Sequence, residues 1–381
     1  MTEYVLITSN ICLNDCVCCC FDDDNELANG FQNIGKNDLE RKVIENFIDG
    51  LDSSKDIISI TGRDPLLNRN ALELIGQYSG EKTIILNPLS FLALGIKKRA
   101  SQITSEEAFD FLYNCNNKGL PENISELIEQ IKEFKICISI GYLQSPNPQI
   151  IEYAKQFFSE YVEPELQHEL KVREYEFILE GGKLKKCDFN PVGRFKKIVF
   201  EEGLDCYNNV ILANDCCEKD TRILYFSDDH LHLLPCCNMG SNEYVAYKTN
   251  LTLAKLAKKR PKKILKLIEK ENQQFSKTAL GFHCSYDRIT KKRKKLGHYW
   301  RLFWAGLTTR NSWYINAAEE LLEQKIGQRI DIVSKTPSLN DESTTMCNCC
   351  GYIGDRLSQA NVSVQEWQDY LENHLDKKLS Q

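Results

Sequence analysis

The sequence of 381 residues contains no apolar run approaching the roughly 18 residues that a membrane span requires. Its opening, Met-Thr-Glu-Tyr-Val-Leu-Ile, lacks a basic flank ahead of an apolar core. It is therefore expected to be an amphipathic first strand rather than a signal peptide. No internal repeat is visible. Hydrophobic residues make up 42% of the chain, too many for a disordered protein of mixed charge. The expectation is a cytoplasmic, folded protein without a membrane partner, large enough for two domains.

Cysteine is the opposite case. Seventeen cysteines in a chain of this size, without an export signal, point to metal ligands rather than to a disulfide framework. They are clustered: Cys12, Cys16, Cys18, Cys19 and Cys20 near the start, the pairs Cys216-Cys217 and Cys236-Cys237, and Cys347, Cys349 and Cys350 near the end. Cys115 and Cys137 stand alone and are expected to be small buried apolar residues.

Charge is unevenly spread. The net charge is −6, yet Lys248 to Arg301 holds 17 Lys or Arg against Glu269, Glu271 and Asp287. Such a stretch is either a solvated helix face with a basic loop or an attractor for an acidic peptide or nucleic acid.

Strand-like and helix-like segments alternate through the first half. A β-rich run at 3–8 leads into the first cysteine group. Residues 37–49 place Leu39, Val43, Ile44, Phe47 and Ile48 on one helical face, with Asn37 or Asp38 as N-cap. The strand 56–60 runs into Thr61-Gly62-Arg63-Asp64-Pro65. A helix at 68–78, a strand at 82–87, helices near 105–115 and 123–133, a strand at 135–140, a helix at 148–160 and a strand at 174–180 follow. This alternation predicts parallel βαβ units in an α/β sheet or barrel, with the chemistry at the carboxyl ends of the strands. Past about residue 200 the rhythm changes to a hairpin (RILYF, HLHLLP), a basic helix at 251–270 and a helix at 315–327, so a boundary is placed there. Trp300, Trp304 and Trp313 are expected in the core. His230 and His232 alternate on one hairpin strand, where packing or surface roles outweigh a role beside metal ligands.

Cys12, Cys16 and Cys19 have the spacing C-x3-C-x2-C. Three thiolates on one short loop can hold three irons of a four-iron cube and leave the fourth open, as catalytic metal sites do. The competing reading is a zinc knuckle or a thiol-rich loop without metal. With this spacing just after a first strand, the chain resembles the radical S-adenosylmethionine (radical SAM) superfamily. Cys18 stands where that family usually has an aromatic residue, so Cys18, Cys19 and Cys20 all stay open as the third ligand.

The resemblance implies a partial (β/α)6 TIM-like barrel over residues 1–200. It also implies a [4Fe-4S] cluster whose unique iron is chelated by S-adenosylmethionine, which is cleaved to a 5′-deoxyadenosyl radical that takes a hydrogen atom from a substrate. Thr61-Gly62-Arg63-Asp64-Pro65 resembles the family's Gly-Gly-Glu-Pro segment, which holds the methionine amino group. Gly62 and Asp64 inherit that role; the alternative is an ordinary turn capped by Asp64. Ser139 lies where the fourth strand often places a polar residue near the ribose. Pro191-Val192-Gly193-Arg194 resembles a Pro-x-Gly-Arg segment near the barrel end, with Arg194 paired to a carboxylate, that of the cosubstrate or a structural one.

Cys217 and Cys237 flanking a hairpin, with Cys347 and Cys350 later, resemble the auxiliary-cluster domains known as SPASM and Twitch, as does Thr249-Asn250-Leu251 with its following helix. A smaller cysteine-rich α+β domain over 201–381 with one auxiliary [4Fe-4S] cluster is implied; structural zinc on the same four ligands is the alternative. Cys216 and Cys236 are adjacent alternatives to the two hairpin ligands, Cys349 is spare, and Cys216 or Cys236, if not a ligand, could serve as a catalytic hydrogen-atom donor. By family analogy the chain is expected to be an oxidoreductase-like enzyme that modifies a ribosomally made peptide by epimerisation, crosslinking or dehydrogenation. Its expected electron donor is a protein such as flavodoxin or ferredoxin. The alternatives are a dehydrogenase of a small alcohol or amino sugar and, from another class, a zinc-stabilised nucleic-acid-binding protein.

Overall fold

The structure is a computed structural model that describes residues 2–9, 12–14, 35, 37–140, 148–174, 177–180, 183–187, 221–226, 229–234, 244, 246–280, 312–329, 353–354 and 356–380. The first five strands are β1 (Thr2–Ser9), β2 (Asp56–Gly62), β3 (Glu81–Leu86), β4 (Lys135–Ile140) and β5 (Lys171–Glu174). They lie side by side in sequence order, each parallel to the next. The crossovers carry helices α1 (Asp38–Ile48), α2 (Arg69–Gly76), α3 (Leu89–Ile96), α4 (Ser105–Lys118), α5 (Glu122–Ile131) and α6 (Pro148–Phe157). This is the architecture expected of an alternating pattern, because parallel neighbours need long helical crossovers. No helix among the described residues is long and apolar enough to cross a membrane.

The run expected as one strand over 174–180 is divided. Its beginning ends β5, whereas β6 (Phe177–Glu180) turns away to pair with β7 (Lys183–Cys187) in a separate two-stranded sheet. The hairpin assigned from the sequence to the smaller domain is β8 (Thr221–Phe226) with β9 (His230–Leu234). It continues the main sheet, since β8 lies parallel to β1 on the side away from β2. Outside it, β10 (Tyr247–Thr252) completes the eight-stranded sheet. The basic helix is divided by Pro261 into α7 (Leu253–Leu256) and α8 (Pro261–Phe275); α9 (Ser312–Ile326) and α10 (Val364–Ser380) follow. Pro261 fits the first position of α8, where its missing N–H costs nothing.

Strand alternation sorts the side chains. Tyr4, Leu6, Ile58, Ile60, Ile84, Leu86, Ile136, Ile138, Leu224 and Phe226 join the helices in one core. The same core includes Ile264, Ile268, Tyr314 and Trp367, so the described parts before and after residue 200 share one apolar interior as well as one sheet. Gly50 permits their close approach, because a Cβ there would stand 2.8 Å from the carbonyl oxygen of Pro261.

Phe47 on α1 holds the junction, its ring 5.3 Å from Tyr4 of β1 and 6.5 Å from Phe226 of β8. Removing that wholly buried ring leaves a cavity at the β1–β8 seam. Phe47→Ala should cost about 3–5 kcal/mol. A urea titration should show a lower midpoint; an unchanged midpoint would mean that the seam does not depend on this ring.

Leu39 is 39% exposed instead of facing the core. Glu40 occupies the buried side of α1, accepting from the Gly35 N–H at 3.0 Å and the Asn37 side chain at 2.9 Å. Asn37 caps the helix and accepts from the Glu40 N–H. The reciprocal bonds satisfy a carboxylate that the helical pattern alone would send to solvent.

Candidate active site at the ends of β1 and β2

Among the described residues, the cysteine loop begins with Cys12, Leu13 and Asn14, just past the carboxyl end of β1. The Asn14 backbone N–H points at the Cys12 sulfur, 3.3 Å away. Such a bond disperses negative charge on a thiolate and is of the kind that tunes sulfur-ligated iron. Leu13 packs against the cluster of Leu89, Leu92, Ala93 and Ala100, and its carbonyl accepts from the Ala100 N–H at 2.7 Å. The loop is thus clamped to α3 and to the chain leaving it. Cys16 and Cys19 lie outside the described residues, as do Cys18 and Cys20. No group of three or more His, Cys, Asp or Glu suited to a metal is present among the described residues.

β2 ends at Gly62, whose φ of 141° lies where only glycine is comfortable. Gly62 still pairs with Ser9, across a register shift after Ile7 that marks a bulge in β1. Asp64 follows and begins the short 3-10 turn Pro65–Leu67, with Oδ1 accepting from the Leu66 N–H at 3.2 Å. The capped-turn reading is therefore correct for one of its oxygens. The other, Oδ2, is buried without a hydrogen-bond partner. Burial pushes the Asp64 carboxyl up to about 7, with the Ser90 hydroxyl and the Leu66 N–H acting in the opposite direction.

Asp64 has polar company. Asn14, only 3% exposed, donates through Nδ2 to Ser90 Oγ at 2.7 Å, and its own Oδ1 is a second buried acceptor without a partner. Asn68 caps α2, accepting from the Ala71 N–H at 3.1 Å, and donates to the Thr8 carbonyl at 2.5 Å. Thr8 in turn donates to the Thr61 carbonyl at 3.1 Å. Thr8, Asn14, Asp64, Asn68 and Ser90 are all buried. A buried polar group without a partner costs about 1–3 kcal/mol. Two such acceptors beside a cysteine loop fit a ligand that brings several N–H donors, as an ammonium group does.

Asn14 and Ser90 are absent from the sequence-based site. The signal for Ser90 is a lone hydroxyl in the apolar run Leu89-Ser-Phe-Leu-Ala-Leu-Gly-Ile96, which lacks helical periodicity and is not predicted as a helix at all. For Asn14 the only signal is its place inside the cysteine spacing.

Ser139 lies in β4, with Arg173 of β5 as its register partner. Arg194, Cys216, Cys217, Cys236, Cys237, Cys347 and Cys350 are outside the described residues, as are Trp300 and Trp304. Cys115 and Cys137 are buried, as expected. His232 packs its ring 5.9 Å from Tyr225. Burial, then the nearby Lys248 and His230, lower its pKa to about 4, which keeps the ring neutral and suits hairpin packing. His230 pairs with Asp229.

No protein-family model matches the chain, and no curated protein does. Among solved structures, the chain is similar to hexahistidine-tagged anSMEcpe with bound AdoMet, at 12% identity and a TM-score of 0.31, over 72% of this chain and 83% of that one. It is also similar to native anSMEcpe with bound AdoMet and Cp18Cys peptide, at 12% identity and a TM-score of 0.29, over 70% and 82% of the two chains.

Proposed function

We propose that this chain is a radical SAM enzyme in which Cys12, Cys16 and Cys19 hold a [4Fe-4S] cluster by three corners. Gly62, Asp64, Ser139 and Arg194 receive S-adenosylmethionine beside it. One observation carries the reading: a buried carboxylate at the end of β2 keeps one oxygen without a partner, next to the loop that bears Cys12. When bound, the cluster would supply the electron that splits S-adenosylmethionine.

The chain's own residues do the rest. Asp64 accepts the ammonium of the cosubstrate and is held ionised by it, since an adjacent cation favours the charged form. Gly62, at a φ closed to other residues, steers the backbone out of β2 towards that ligand. The Asn14 N–H holds the Cys12 sulfur in place.

Residues 1–200 form the catalytic part in this reading, and 201–381 the auxiliary part, where Cys217, Cys237, Cys347 and Cys350 hold a second [4Fe-4S] cluster. The substrate is a ribosomally made peptide. In its support, α8 buries Ile264 and Ile268 and turns Lys262, Lys263, Lys266 and Lys270 to solvent, a face suited to an acidic leader segment. If the reaction is an epimerisation, Cys216 or Cys236 returns the hydrogen atom from the opposite face. The electron donor is an acidic carrier of the flavodoxin or ferredoxin kind. Beside Leu13 there is an open depression of 560 Å³, rimmed by Lys97, Lys98 and Arg99, that suits such a carrier.

The test is direct. Anaerobically reconstituted protein should be brown and, after reduction with dithionite, should convert S-adenosylmethionine to 5′-deoxyadenosine and methionine. With a peptide encoded nearby, a loss of two hydrogens in mass or a changed chirality at unchanged mass would identify the outcome. A colourless zinc protein that binds nucleic acid would refute the proposal.

A further inference from the structure

In the parallel half, Lys55, Lys82, Lys98, Lys132, Lys135 and Lys155 each pair with a carboxylate. Residues 255–277 are built differently. They carry nine Lys or Arg against Glu269 and Glu271, a net +7 that leaves −13 for the rest of the chain. Among the described residues, none of the nine makes an ion pair. Both acids are engaged elsewhere. Glu269 accepts from Arg222 Nε at 3.1 Å and Nη2 at 3.3 Å, and Glu271 is buried, accepting from the Asn250 N–H at 3.4 Å. The helix therefore lacks the acid–base pairs, four residues apart, that ordinarily settle an exposed charged face. Instead Lys262, Lys266 and Lys270, all exposed, follow one another at that spacing, where like charges repel. A face kept positive against its own repulsion calls for an anion from outside.

Geometry narrows the partner. Helical rise sets the three lysines about 6 Å apart along α8. In an extended peptide, side chains on one side recur about every 6.6 Å. Carboxylates at three alternate positions of an extended segment thus meet the three lysines one for one. A nucleic acid fits less well. No aromatic residue stands among residues 255–274 to stack on bases, and a duplex broader than one helix would overhang a chain whose remainder is negative.

Resting on the peptide-modifying reading above, we propose that Lys262, Lys266 and Lys270 dock an extended acidic segment of the substrate with Asp or Glu at every second position. The face selects the alternation and not the charge alone.

The experiment is fluorescence anisotropy of the full-length, anaerobically reconstituted protein with three labelled probes. One peptide carries Glu at three alternate positions among serines, and its isomer carries the same three Glu side by side. The third probe is a single-stranded oligonucleotide. The alternating peptide should bind at least about threefold more tightly than its isomer, and less tightly as salt is raised. Lys262→Gln, Lys266→Gln and Lys270→Gln together should weaken it about tenfold, the worth of three exposed ion pairs. The same change at Lys42, Lys118 and Lys171 alters net charge equally and should leave binding within about twofold of wild type. With the repulsion relieved, the α8 variant should melt at or above the wild-type temperature, which separates lost recognition from lost folding. If the triple variant does not fold, Lys266→Gln alone decides, with an expected loss of about threefold.

Equal binding of the two peptides, equal losses in the two triple variants, or no binding would overturn the inference. So would tighter binding of the oligonucleotide that the α8 changes abolish, which would make this a nucleic-acid surface. A protein that docks the alternating peptide yet cleaves no S-adenosylmethionine would lose the enzymatic reading and keep the docking face. Cleavage without docking would do the reverse.

Discussion

Cys12→Ala should leave a protein that folds, loses about half of its iron while the auxiliary cluster's share remains, and forms no detectable 5′-deoxyadenosine, a loss of at least about a thousandfold in rate. Cys115→Ala and Cys137→Ala should keep both iron and activity. The contrast rests on environment rather than residue type. Cys12 is partly exposed past a strand end, with a backbone N–H aimed at its sulfur. Cys115 is buried on α4, where loss of water pushes the thiol pKa upward and away from a ligand's thiolate form. Cys137 is buried within β4. Iron and sulfide analysis of the three variants, with visible and electron paramagnetic resonance spectra, checks the prediction. Normal iron content in Cys12→Ala would remove Cys12 from the ligand set.

Asp64→Asn should make the protein more stable and less able to bind S-adenosylmethionine. Burial holds the Asp64 proton up to a pH of about 7, whereas an unfolded chain releases it near the ordinary value of 3.8. Between those values the native state binds the extra proton, so wild-type stability falls as pH climbs through that window. The lost stability approaches about 4 kcal/mol at pH 8 if the whole shift is expressed. Asparagine cannot ionise and keeps an oxygen for the Leu66 N–H. The variant should therefore match wild type near pH 4 and gain on it by about 2–4 kcal/mol at pH 8, measured without S-adenosylmethionine. Its affinity for S-adenosylmethionine should drop at the same time. A variant equally or less stable at pH 8 would show that the carboxylate is not under strain. Stability given up at one side chain and recovered on ligand binding is what a site residue does.

The parallel core was legible because each segment carries its own period. In α1, Val43, Ile44, Phe47 and Ile48 recur at helical spacing and are buried. The alternation failed where a polar partner changed the rule, as Glu40 did by bonding to Gly35 and Asn37. It failed again at α3, whose unbroken apolar run has no period to read. The division of 174–180 between two sheets and the parallel pairing of β8 with β1 depend on contacts remote in sequence, which local patterns do not encode. In the candidate site, the places of Cys12, Gly62 and Asp64 at strand ends were legible from the strand-and-turn pattern, while their roles came only from the family resemblance and belong to the proposal. The places of Asn14 and Ser90 were not legible. Each is ordinary in its own segment, and they become informative only when the fold brings residues 76 positions apart to hydrogen-bonding distance.

The pairing of β1 with β8 also sets an order of assembly. While the protein is being made, the strand that launches the cysteine loop has an open edge until residues 221–226 have left the ribosome. More than 150 residues separate β2 from β8, and all of them must be synthesised before β1 has both neighbours. A cluster of the proposed kind, delivered earlier, would meet a loop whose base is only half built.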